Sequence, residues 1–297
     1  MMYLTGFADE AADGIDGQIK AIQQLGWSHI ELRSVNKTNI TDISDDLFAE
    51  VVEKLAAANI QANAFGSTIC NWGKSILEPI DKDMEEIARA IPRMKALGTK
   101  HIRIMSYAVL PDRAPEDQLV EARIERLRKV TDLFKAEGLE ALHENCANYG
   151  GMGWKFTQKL IENVPGLRLI FDTANAGISL DRSKPEPYAP QDAWEFYSNV
   201  KKHIAHVHIK DGTFIAENPD SIFEDADYVF PGEGNGQVRR IVADLVESDY
   251  KGGLSIEPHM SVVFHDDSQF ATEQARTDNF IKYGRTLETI ISEVTPS

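Results

Sequence analysis

Cysteine is scarce: Cys70 and Cys146 are the only two in 297 residues. Two thiols in so long a chain do not make a disulfide framework. Long apolar runs are missing as well. Nothing approaches the ~18 consecutive apolar residues of a membrane span. The first residues, Met1-Met2-Tyr3-Leu4-Thr5-Gly6-Phe7, show no basic start leading into an apolar stretch, so no signal peptide is expected. The expected setting is a reducing cytoplasm, away from membranes. Positive charge is also in deficit, with 31 Lys and Arg against 47 Asp and Glu, a net charge of −16. A field of that sign repels phosphate backbones, so nucleic acid is not expected as a partner.

The chain is 42% hydrophobic, enough for a large core. Short apolar runs alternate with longer helical periods. The expected strands are Tyr3–Ala8, His29–Leu32, Gln61–Phe65, His101–Met105, Glu140–Glu144, Arg168–Asp172, Ala205–Ile209 and Gly253–Glu257. Each reads as a strand buried on both faces. The expected helices are Ile15–Leu25, Leu47–Ala58, Asp83–Leu97, Gln118–Ala136, Phe156–Asn163, Asp192–Val200, Gln237–Ser248 and Thr272–Val294. Gly26, Gly98, Gly138 and Gly166 mark helix-to-strand joints. Eight βα units predict one closed (β/α)8 TIM barrel of the α/β class spanning residues 1–297. The rival, an open doubly wound sheet, lacks a Gly-x-Gly-x-x-Gly turn after the first strand. The longest irregular stretches, Ser179–Pro190 and Asp211–Gly236, are expected as loops at the barrel's C-terminal mouth.

Four consecutive strands end in groups that bind metals: Glu144, Asp172, His208 and Glu257. The spacings are 172−144=28, 208−172=36 and 257−208=49 residues. The first two match one βα unit each, and the third matches a unit plus the long loop. An acid ending a strand is commonly a solvated or helix-capping group. Four such residues on successive units would converge on one rim, where three carboxylates repel each other without a cation. Two Glu, one Asp and one His suit one divalent ion of the Mn²⁺, Mg²⁺, Co²⁺ or Zn²⁺ kind. His143 and His259 flank ligands, and alternation along a strand is expected to point them away from the ion.

These segments resemble the xylose isomerase-like barrel superfamily, which includes ketose 3-epimerases, inosose dehydratase and endonuclease IV. The resemblance runs from Gly6-Phe7 through Gly26-Trp27-Ser28-His29-Ile30-Glu31-Leu32-Arg33 to the Glu257 strand. Its most specific parts are Asp-Thr-x-Asn at 172–175 and His-x-Lys-Asp at 208–211. It implies one metal on Glu144, Asp172, His208 and Glu257, with the two glutamates moving protons on opposite faces of a sugar. The chain carries Asn175 where ketose epimerases resemble a His, and Lys210-Asp211 where they resemble an Arg. Family members resemble dimers or tetramers, so a homo-oligomer is expected from the resemblance alone.

Other candidates for the mouth are Trp72, which could stack on a sugar face, Ser106 and Tyr107, which could hydrogen-bond substrate, and Asn175 and Lys210. The Gly-rich turn Asn145–Gly151 is expected to line the pocket, and Pro231-Gly232-Glu233-Gly234 to be a bare turn rather than a phosphate site. The cysteines are expected to be small buried apolar residues. The expected activity is isomerisation or epimerisation of a sugar, keto-sugar or polyol through an enediolate. A metal-dependent lyase or dehydratase on similar substrates is the alternative. A DNA-repair endonuclease is remote, because it needs extra His ligands where the chain offers Gly66-Ser67-Thr68 and Ser106-Tyr107. A non-catalytic barrel with a structural metal would not need both Glu144 and Glu257.

Overall fold

A computed structural model of the chain describes residues 2–215, 226–260 and 272–295. Eight parallel strands form one sheet: β1 (Tyr3–Gly6), β2 (His29–Leu32), β3 (Gln61–Phe65), β4 (His101–Ile104), β5 (Glu140–Glu144), β6 (Arg168–Asp172), β7 (Ile204–Ile209) and β8 (Gly253–Ile256). Their order around the sheet is β1-β8-β7-β6-β5-β4-β3-β2. A parallel bridge between Phe7 and Glu31 links β1 to β2 and closes the ring. The expected (β/α)8 barrel is the fold.

The outer layer comprises α1 (Ile15–Gln24), α2 (Asp45–Ala58), α3 (Asp81–Leu97), α4 (Val120–Ala136), α5 (Trp154–Asn163), α6 (Thr173–Ile178), α7 (Ala193–Val200), α8 (Val238–Glu247) and α9 (Glu273–Val294). On α4, Leu127, Val130 and Phe134 recur at helical spacing and are fully buried. Burying each such side chain contributes roughly 1.5–3 kcal/mol. Gly98 caps α3 with φ +68°, a left-handed conformation that glycine adopts without steric cost. The other three glycine joints, Gly26, Gly138 and Gly166, share this sign of φ.

Some boundaries differ from the sequence expectation. Strand β1 stops at Gly6, and Ala8–Glu10 forms a 3-10 turn. That turn brings Asp9 and Glu10 inward at 5% and 3% exposure. The short helix α6 was not expected. It starts directly at the end of β6, where the Asp172 carboxylate accepts the Asn175 N–H at 2.7 Å as an N-cap. The two long loops contain small pairings, Gly212–Phe214 with Ala226–Tyr228 and Leu180 with Pro190. Residues 216–225 of the Asp211–Gly236 loop lie outside the described residues. Among the described residues no helix is long and apolar enough to cross a membrane.

Candidate metal centre and active site

Parallel register sets the site. Asp172 on β6 pairs with His208 on β7, and the Glu257 N–H donates to the Ile209 carbonyl at 3.1 Å. Leu142 and Ile170 sit two residues before Glu144 and Asp172, and they form a small apolar cluster separate from the main core. Alternation therefore carries Glu144 and Asp172 on the same inward face as that cluster. Glu144, Asp172, His208 and Glu257 are all buried, and one ligand atom from each lies within 4.8 Å of the others. Glu144 Oε2, Asp172 Oδ2 and Glu257 Oε2 are buried without a hydrogen-bond partner. Buried carboxylate oxygens normally have partners, so these three fit a cation placed among them.

The electrostatics express the same crowding. Burial pushes the Asp172 carboxyl up to about 7, with Glu257 and Glu144 adding to the effect and Lys210 opposing it. For Glu257, burial is overcome by Lys210, His259 and Arg33, which hold its carboxyl well below the usual range. Arg103 and His208 likewise outweigh burial at Glu144. His208 is pushed up to about 10 against burial by Glu31 and Glu144. Without an ion, then, protons and positive side chains offset the repulsion.

Behind this cluster lies a group of charges that sequence reasoning missed. His208 Nδ1 faces Glu144 Oε1 at 2.8 Å, while its Nε2 lies 3.2 Å from Glu31 Oε1 on β2. The other Glu31 oxygen meets His206 Nε2 at 2.8 Å. A carboxylate on Nε2 fixes the ring, and an ion taking Nδ1 would have to displace the contact that this nitrogen makes with Glu144. Arg33, also on the β2 side, donates to Glu257 Oε1 at 2.7 Å, to both Asp9 oxygens and to Glu10 Oε1. Arg103 Nη1 lies 3.3 Å from Glu144 Oε2. The Phe7 ring sits beneath both guanidinium groups, 4.4 and 5.5 Å from its centroid, and edge-on to His208. Each candidate glutamate is thus braced by one arginine. The signal was present as Glu31 and Arg33, two charges two residues apart at the end of β2 and just past it.

A cavity of about 320 Å³ opens onto the cluster, lined by Trp72, Arg103, Glu144, Lys210, Tyr228 and Glu257 among others. Trp72 and Lys210 therefore stand at the mouth. Tyr107 does not. It has φ +67° and turns back under the loop, where its hydroxyl donates to Asp83 Oδ2 on α3 at 2.8 Å. Ser106 is also engaged elsewhere, with Asn148, His143 and the Gly150 N–H. Asn175 does not line the cavity either. The start of α6 folds it back toward β5, and its Nδ2 donates to the Asn145 carbonyl at 2.9 Å. All three residues support the walls.

The flanking histidines part ways. His143 is fully buried against Ser106, and burial lowers it to about 4. His259, expected to point away, lines the cavity with its Nδ1 2.8 Å from Glu10 Oε1. It lies beyond the strand with φ +54°, so alternation does not govern it. Of the cysteines, Cys70 is buried, whereas Cys146 is half-buried and lines the cavity with Ala147. The turn at Pro231–Gly234 offers no open amides. Asp211 accepts the N–H groups of Gly212, Gly232, Gly234 and Gly236 at 2.8–3.1 Å. A larger cavity of about 710 Å³, between segments 109–118 and 180–188, contains none of the four clustered residues.

Residues 19–279 match the family model for the xylose isomerase-like TIM barrel. The chain belongs to that family. Among curated proteins, none matches in sequence. Solved structures similar to this family member include the IOLI protein with a bound zinc atom, at 14% identity and a TM-score of 0.71, all of each chain being covered. The probable 3-DHS dehydratase AsbF from Bacillus anthracis is similar at 14% identity and a TM-score of 0.70, covering 97% of this chain and 99% of that one. A D-tagatose 3-epimerase-like protein is similar at 13% identity and a TM-score of 0.68, covering 99% and 100%. At such identities the likeness is one of fold.

Proposed function

We propose that this xylose isomerase-like barrel is a metal-dependent isomerase or epimerase of a sugar, keto-sugar or polyol, with one divalent ion on Glu144, Asp172, His208 and Glu257. The observation that carries the reading is the convergence of these four buried side chains beneath an open cavity, with three carboxylate oxygens lacking hydrogen-bond partners. An ion held there would polarise a carbonyl and its neighbouring hydroxyl and stabilise an enediolate.

The chain's own groups do the rest. Glu144 ends β5 and Glu257 follows β8, with the Asp172 and His208 strands between them. A planar enediolate lying between the two glutamates would meet one carboxylate on each face. One takes the carbon proton and the other returns it on the far side, inverting the carbon. Arg33 and Arg103 hold the two carboxylates in place, and Trp72 offers a ring for the sugar to stack on.

Elimination of a β-hydroxyl group is the second reading. Lys210 favours it, because its buried ammonium lines the cavity beside Asp172 and could protonate a departing hydroxyl. The dehydratase among the structural neighbours lends the same support. DNA repair is not proposed: the residues after β3 and β4 bring no histidine to the cluster, and the charge of −16 opposes DNA.

The test is solvent exchange. The metal-loaded protein is incubated in D₂O with a panel of ketoses, 3-keto-sugars and inososes. Deuterium should enter the carbon beside the carbonyl. An epimer then indicates the first reading, and loss of water the second. No exchange with any substrate or divalent ion would overturn both.

A further inference from the structure

One positive side chain reaches the cluster from within its own ring of ligands. Lys210 is 3% exposed, two residues past His208. Its Nζ lies 3.4 Å from Asp172 Oδ2 and 3.8 Å from Glu257 Oε2. Neither of those buried oxygens accepts a hydrogen bond. The Tyr228 ring centroid lies 5.9 Å from Nζ. The root of the side chain is fixed as well. The Lys210 N–H donates to Thr173 Oγ1 at 3.2 Å, and that hydroxyl donates to the Lys210 carbonyl at 2.5 Å.

We infer that Lys210 is the resident cation of the metal-free site, a charge that keeps Asp172 and Glu257 together before an ion arrives and competes with the ion for them. The inference rests on reading the four residues as a metal centre. Three carboxylates packed this closely repel one another, and charges about 4 Å apart interact strongly even at an effective dielectric of about 20. An ammonium against two of them relieves that repulsion. Its distances exceed those of a tight hydrogen bond, so it stands beside the gap between the oxygens and leaves their lone pairs open. A divalent ion drawing on the same oxygens would sit next to a second positive charge. Lys210 therefore stabilises the empty site and weakens the filled one.

The two effects have opposite signs, and a merely structural lysine would not produce both. Lys210→Met keeps an unbranched side chain and removes the charge. Mn²⁺ titration, with free ion followed by EPR, should give a Kd at least ~10-fold tighter than the parent, about 1.4 kcal/mol. The metal-free variant should melt below the parent and gain more in Tm on adding Mn²⁺. Lys210→Arg keeps the charge and should bind no more tightly than the parent. If Lys210→Met folds only with metal, it is purified with Mn²⁺ and release into EDTA is timed. Slower release than the parent supports the inference, and equal or faster release overturns it. Unchanged or weaker Mn²⁺ binding in folded Lys210→Met also overturns it while leaving the metal centre standing. A parent that binds no Mn²⁺ overturns both.

Discussion

The two halves of the barrel mouth are built from opposite materials. From β5 to β8 the strand ends present Glu144, Asp172, His208 and Glu257, three acids and a histidine facing one another. From β1 to β4 the charges nearest those residues include Arg33 and Arg103, with Asp9 and Glu10 behind Arg33 and Glu31 behind His208. One half is an anionic cup open to the cavity. The other is a cationic brace backed by its own acids. The cup suits an ion, and at Glu257 the brace sets which oxygen is tied and which is left over, whereas at Glu144 it is His208 that ties Oε1 and Arg103 lies 3.3 Å from Oε2. Arg33 occupies Glu257 Oε1, so Oε2 remains. A buried cluster of acids thus needs a second charged layer to hold it together.

Removing a brace should hurt folding more than removing a ligand's charge. Arg33→Met removes the guanidinium that buried Asp9, Glu10 and Glu257 share, leaving only His259 beside Glu10 and Lys210 and His259 beside Glu257, and should cost about 3–5 kcal/mol in chemical denaturation. A loss under about 1 kcal/mol would mean that the brace contributes little. The reverse holds for the cup. Glu144→Gln and Glu257→Gln keep an oxygen ligand and the side-chain volume but remove the base. Each should retain substantial metal and lose turnover by at least ~10²-fold. Near-normal turnover with metal bound would reduce that glutamate to a spectator ligand.

The cup should also respond to pH in a direction set by its metal. The folded Asp172 carboxyl sits at about 7, above its ordinary ~3.9. Between those values the folded chain holds a proton that the unfolded chain has released. This stabilisation is complete below about pH 4 and lost as pH rises through about 7. His208, raised from its ordinary ~6.5 to about 10, adds a contribution that is complete below the lower value and declines until pH has passed the upper one. The metal-free Tm should therefore fall between about pH 6 and 8. Saturating Mn²⁺ should reverse the trend, because the ion displaces the Asp172 proton. A metal-free Tm that rises across this range would contradict the crowding at Asp172.

The smallest effect belongs to a residue outside both halves. Tyr107→Phe removes one hydrogen bond to Asp83 and should cost about 1 kcal/mol of stability. Turnover should stay essentially at the parent level. A large rise in KM would return Tyr107 to the substrate pocket.

The cup was legible in the sequence because each of its residues ends a short apolar run, and the runs recur at the spacing of βα units. The glycine joints were legible too, since Gly26, Gly98, Gly138 and Gly166 each take the left-handed backbone that such joints require. The brace was not. Arg33 meets partners 24 and 224 residues away in Asp9 and Glu257, and no local pattern records such pairs. The sequence pattern also carried β1 through Ala8, which hid the turn that brings Asp9 and Glu10 inward. Tyr107 and Asn175 were misplaced for a shared reason. Each follows a strand, as mouth residues do, but a left-handed backbone turns one and a helix start turns the other back into the wall. Which way a side chain points after a strand depends on the first turn of backbone, and composition is silent on that.

The central claim is that the four strand ends hold one ion. The most direct measurement is elemental analysis of the parent and Asp172→Ala after equilibration with Mn²⁺ and desalting. The account predicts about one ion per parent chain and essentially none in the variant. Full metal in Asp172→Ala, none in the parent, or two or three ions per parent chain would contradict it.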